Sequence, residues 1–225
     1  MSSQAIPGEI TPPSGPFWAS LDPTVASTVA AVLTPQELDN LKLDPSASNS
    51  TKLNALETAL AAKLSNAETS SKPSTLHSTD YNTWKALKSS LFHVHKGLGN
   101  IDEQEKILLE LVNNPGPGPL GRDLAALHNL SALYEETGQY KEAESNARKA
   151  LTDIQAHSRL GKDTPQALGS LRVLIKALWK QGKVVEAKEY VGQAQASISN
   201  LAGTPFAKFQ QEETDALGKI VAELN

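Results

Sequence analysis

The side chains able to do chemistry are few and scattered. The five histidines are His77, His93, His95, His128 and His157. His93 and His95 lie two apart in helical sequence and so point about 200° apart, which denies them a shared metal ion. Gly116–Gly121 fits the spacing G-x-G-x-x-G, but no strand leads into it, and Pro117 and Pro119 have no N–H to offer a pyrophosphate. It reads as a spacer loop. Gly161-Lys162 and Gly182-Lys183 are not P-loops, because Asp163 and Val184 stand where Ser or Thr is required. Neither H-E-x-x-H nor G-x-S-x-G occurs, and the absence of cysteine removes thiolate metal sites, thiol nucleophiles and disulfides. Glu135-Glu136 reads as a solvated face at a helix end. The expectation is a chain without catalysis, metal or cofactor. What remains is the chemistry of recognition. Arg172, Lys176 and Lys180 step by four and share one helix face, where cations can pair with carboxylates. Trp179 stands beside them, either as an anchor for a partner or as packing against the next helical pair.

Composition narrows the classes further. The 225 residues carry 21 Lys and Arg against 25 Asp and Glu, a net charge of −4, so the chain is no general binder of phosphate backbones and no nucleic-acid partner is expected. Hydrophobic content of 39% with only 5% aromatics points to a core of Leu, Ala and Val. No window approaches 18 consecutive apolar residues, and Met1–Phe17 lacks the basic start and apolar run of a secretory signal. The first Arg is Arg122, which argues against an Arg-rich transit peptide. A cytoplasmic protein with no membrane partner is the expectation, by elimination. Residues 1–50 hold seven of the 13 prolines and all of the net charge. They read as a mostly disordered or loosely helical tail, mobile over 1–16, with helices expected from Asp22-Pro23 to Leu33 and from the capping-box order Thr34-Pro35-Gln36-Glu37. The Pro12–Pro16 run has the composition of a weak SH3 or WW ligand.

From residue 51 onward the pattern is helical. Leu53, Leu56, Leu60 and Leu64 form one stripe of a helix over 51–68, and Ser65–Ser78 reads as a loop. Trp84, Leu87, Leu91 and Val94 form the next stripe, ending at Gly97-Leu98-Gly99, and Ile101–Val112 follows before the Pro-Gly run at 115–119. Leu124–Thr137 is closed by Gly138 and followed by Tyr140–Asp153. A helix from Thr164-Pro165 is closed by Gly182 and followed by Val184–Ile198. Thr204-Pro205 opens a last helix over 204–225, with Lys208, Glu212, Glu213 and Asp215 on its polar side.

The recurrence of helix, glycine turn, helix and loop carries a resemblance. Residues 124–151 resemble a tetratricopeptide repeat (TPR), a helical hairpin of about 34 residues. Leu127, Leu130, Tyr134, Gly138, Ala143, Ala147 and Ala150 match its signature, with Ser131 where glycine is usual. Around Gly182 the equivalents are Leu171, Leu174, Ile175, Leu178, Ala187, Val191 and Ala194. Around Gly99 they are Lys88, Leu91, Phe92, His95, Gln104, Leu108 and Leu111, a divergent copy. The turn glycines lie 39 and 44 residues apart, so the loops between copies are long. With the Leu127–Leu130 run, this is similar to the kinesin light chain subclass.

The resemblance implies an all-α fold: a short right-handed TPR-like α-solenoid of about three hairpins, near 80–113, 120–156 and 164–199. Flanking helices at 51–68 and 204–225 cap it, within one domain over 51–225. It also implies a non-enzymatic scaffold that binds a peptide segment of a partner protein in the concave groove. The groove positions are then Ser89, Ser90 and His93 in the first hairpin, His128, Asn129 and Ala132 in the second, and Arg172, Lys176 and Lys180 in the third. Asn129 suits a ligand's main-chain amide, and Arg172 and Lys176 suit carboxylates. The lysine that carboxylate-clamp relatives carry in their first hairpin is absent. Residues 159–188 carry seven basic against two acidic residues and 99–158 five against ten, so an acidic partner, or a second copy head to tail, is expected at one end. The other reading is a structural subunit packed permanently in an assembly or homo-oligomer.

Overall fold

The computed structural model describes residues 13–42, 44–117, 121–157 and 160–224. Most of the expected mobile tail, Pro12 of the proline run, Gly118 of the glycine run and Arg159 of the basic stretch lie outside the described residues. The fold is all-α, and no strand occurs among the described residues. The helices are α1 (Pro23–Val32), α2 (Pro35–Asn40), α3 (Asn49–Ser70), α4 (Leu76–Thr79), α5 (Tyr81–Leu98), α6 (Ile101–Asn113), α7 (Leu124–Glu136), α8 (Tyr140–Ala156), α9 (Pro165–Lys180), α10 (Val184–Asn200) and α11 (Gln210–Glu223). None of them is long and apolar enough to cross a membrane. The chain divides into two compact units between Asn114 and Pro115.

In the N-terminal unit α5 is central, and α1, α3, α4 and α6 all pack on it. Leu87 and Val94 of α5, Leu56 and Leu60 of α3, Val29 of α1 and Leu108 of α6 are fully buried. The helix expected from Asp22-Pro23 to Leu33 is α1, and it is part of the core of this unit. Asp22 caps α1 by accepting from the Thr24 and Val25 amides, and Leu21, Val25, Ala26, Val29 and Leu33 are core residues. Ser90 of α5 donates to the Thr28 carbonyl at 2.9 Å. The capping box of α2 is present, with Glu37 accepting from the Thr34 amide at 2.7 Å and Thr34 from the Glu37 amide at 3.2 Å. The expected loop at Ser65 also gives way. Adding a residue to a standing helix needs no new nucleation, so α3 runs on through polar residues to Ser70, and Pro73 lies just beyond. A buried lysine joins α3 to the preceding turn: Lys52 Nζ donates to the Phe17 carbonyl at 3.1 Å and the Ser20 hydroxyl at 3.0 Å.

In the C-terminal unit α7 packs on α8, α8 on α9 and α9 on α10, while α7 also touches α9 and α11 lies against α9 and α10. The close approach of α8 and α10 to their neighbours is a matter of small side chains: Ala143, Ala147, Ala150, Ala187 and Ala194 are buried among Leu127, Leu130, Leu171, Leu174, Ile175 and Leu178. The turns after α5, α7 and α9 share one geometry. Gly99, Gly138 and Gly182 have φ of 74°, 79° and 77°, a left-handed conformation that favours glycine. In each, the next amide bonds back five residues: Asn100 to His95, Gln139 to Tyr134 and Lys183 to Leu178. At the first of these turns, buried Gln104 donates to the His95 main-chain carbonyl at 3.4 Å. The last helix begins later than expected. Thr204 accepts from the Phe206 amide in a local turn, a short 3₁₀ stretch spans Ala207–Phe209, and α11 starts at Gln210.

Candidate functional site

A concavity of the C-terminal unit lies between the N-terminal halves of α7 and α9. Asp123 caps α7, its carboxylate accepting from the Ala125 and Ala126 amides at 3.1 Å, and Thr164 caps α9 through the Ala167 amide at 3.3 Å. Both capping residues are buried, so the two helix starts are firmly placed. Between them is a cleft of about 500 Å³ with walls of Leu124, Ala125, Ile154, Leu160 and Pro165. Its polar groups are His128, Asn129, Gln166 and Arg172.

Each polar group is held differently. His128 Nδ1 lies 3.2 Å from the hydroxyl of buried Ser170. Its ring rests against α9 at Gly169, where a Cβ would stand 3.3 Å from the ring's Cε1. Gly169 is thus a point of close approach, which is what an isolated glycine inside a helix often marks. The carboxamides of Asn129 and Gln166 have no hydrogen-bond partner among the described residues, and both line the cleft. Arg172 spans two neighbours: Nη1 pairs with Glu213 of α11, while Nη2 sits beside Gly169 at the cleft floor.

The structure brings His128, Asn129 and Arg172 to one cleft. Lys176, one turn further along α9, lies 3.5 Å from the Glu135 carboxylate and flanks a second, more open hollow between α9 and α11. Lys180 is exposed at the end of α9 and makes no ion pair among the described residues. Trp179 is half-buried against the core of this unit, with Lys188 Nζ 5.9 Å from its ring centre. His93 belongs to the other unit. It stands near the Asp22 carboxylate, and burial pushes its imidazole below the ordinary value. The α5 face expected to line a groove is covered by α1, since Ser90 is buried beneath it.

Sequence reasoning missed Gln166, Gly169 and Glu213. The sequence puts Glu213 on the polar side of the last helix, yet it is 6% exposed. It sits four residues before Leu217 and four after Phe209, on the apolar stripe, and a carboxylate at such a position needs a cation against it. Burial pushes its carboxyl upward, and Arg172 opposes that shift.

Part of the charge segregation along the sequence resolves into pairs inside this unit. Lys176 meets Glu135, and Lys183 meets Glu144 at 2.6 Å. Arg148 of α8 joins Glu144, Glu186 and the Tyr190 hydroxyl. Burial pushes Glu144 up, but hydrogen bonds from Lys183, Gln181 and Arg148 outweigh it and hold the carboxyl below the usual range. Among the described residues, no group of three or more His, Asp or Glu side chains is placed to hold a metal ion. No protein-family profile matches the chain, and no curated protein or solved structure matches it significantly.

Proposed function

We propose that this chain is a non-enzymatic scaffold of the tetratricopeptide type, which holds an extended segment of a partner protein in the cleft between α7 and α9. The observation that carries the reading is the pair of unengaged carboxamides, Asn129 and Gln166, facing an apolar cleft of about 500 Å³. A side-chain amide offers a donor and an acceptor together, the complement of a peptide's own N–H and C=O. The apolar walls supply burial for one side chain of the guest. The repeat reading is supported by the shared turn geometry at Gly99, Gly138 and Gly182 and by the buried alanines of α8 and α10.

The test is affinity capture and cross-linking with the wild type and an Asn129→Ala/Gln166→Ala variant. Both proteins should melt alike, because these side chains are not core residues. Partner cross-links should map to α7 and α9 in the wild type, and the affinity should fall at least about tenfold in the variant, the loss of one or two hydrogen bonds. Equal binding by the variant would remove the cleft from consideration. A stable oligomer in sedimentation, with this cleft covered in the assembly, would favour a structural subunit instead.

A further inference from the structure

The inference rests on the cleft reading above and concerns what the cleft accepts. Arg172 is its one cationic wall residue among the described residues, and that cation is already matched from behind. Glu213 arises from the inward face of α11, in the same stripe as buried Leu217, Ile220 and Leu224. A carboxylate in that position could not stay ionised without a cation against it. One turn along α9 the arrangement repeats, with Lys176 facing Glu135 of α7. Arg172 and Lys176 are therefore each balanced by a carboxylate from another helix.

A ligand carboxylate entering the cleft would meet little net positive charge. It would lose its hydration and compete with a tethered carboxylate of high effective concentration. An uncharged segment suffers neither loss, because its side chain meets Leu124, Ile154, Leu160 and Pro165 and its main chain meets the two carboxamides. We propose that Glu213 is the specificity determinant of the cleft: by neutralising Arg172 from α11, it selects an uncharged extended segment bearing an aliphatic side chain and turns acidic segments away.

The experiment pans a phage-displayed library of random dodecapeptides on the full chain as wild type, Glu213→Gln and Arg172→Gln/Glu213→Gln. A selected neutral peptide and its single Asp-substituted form are then titrated against all three. The wild type should prefer the neutral peptide by about tenfold or more, a difference of about 1.4 kcal/mol. Glu213→Gln, which exposes the Arg172 charge, should shift that ratio about tenfold toward the Asp peptide. The double variant, which removes both charges, should return the ratio to within about twofold of wild type. This return separates a charge role from a merely structural one and stands even if Glu213→Gln alone folds poorly. Enrichment of Asp or Glu by the wild type, or a double variant whose ratio departs from wild type, would overturn the assignment. Recovery of no peptide, or of peptides indifferent to Asn129→Ala/Gln166→Ala, would instead overturn the cleft reading on which it rests.

Discussion

His93 shows how a single side chain ties the N-terminal unit to pH. Burial disfavours its charged form, Lys96 adds to that, and the nearby Asp22 carboxylate offsets only part of it. The folded chain therefore holds this proton less tightly than the unfolded chain, whose histidine titrates near 6.5. As pH falls below that value the unfolded state takes the proton first, so stability declines, by no more than about 1.4 kcal/mol per pH unit for one group. His93→Gln should flatten the fall in melting temperature between pH 7.5 and 5.5, and an unchanged slope would show that His93 is not the group responsible. At this scale the sequence was partly legible. His128, Asn129 and Arg172 could be named from repeat positions alone. Gln166 and Gly169 could not, because their place depends on how far α9 leans on α7. Glu213 could have been found from its position on the apolar stripe, had the start of α11 been placed correctly.

At the scale of elements, leucine and alanine periodicity located α5 to α10 within a few residues, because each buries a stripe of constant phase. The errors fell where local composition and tertiary burial disagree. The helix expected at α1 is present, but the proline and serine around it gave no sign of its burial, although Val25, Val29 and Leu33 are spaced for one face. The polar end of α3 suggested a loop, although nothing before Pro73 breaks the helix. Position along α9 should grade the effect of truncation sharply. Leu174, fully buried, should lose roughly 2–5 kcal/mol as Leu174→Ala, whereas exposed Lys180→Ala should change stability by no more than about 0.5 kcal/mol. Urea melts of the two variants measure this directly, and similar midpoints would contradict the burial pattern of α9.

For the whole molecule, the two units each close their own core, and neither is built from hairpins alone. The N-terminal unit needs α1 and α3 on α5 as much as it needs α6. A chain starting at residue 51 would keep every repeat-like hairpin yet lose α1, α2 and the cap of α3. It should bind the dye ANS and lose part of its cooperative melt, whereas an unaltered melt would mean that residues 23–32 contribute little. Charge is organised on the same principle of internal closure. Lys176 and Lys183 pair with Glu135 and Glu144, so part of the charge segregation along the sequence is closed within the unit.

The ammonium of Lys52 has a practical corollary. Sealed beneath Phe17 and Ser20, it is 1% exposed, while Lys180 stands open to solvent. Amine-acylating reagents will mark the open lysines first and reach Lys52 only when the 17–20 turn lifts away. The chain thus carries its own footprinting probe, one residue whose labelling rate reads out the breathing of its N-terminal unit.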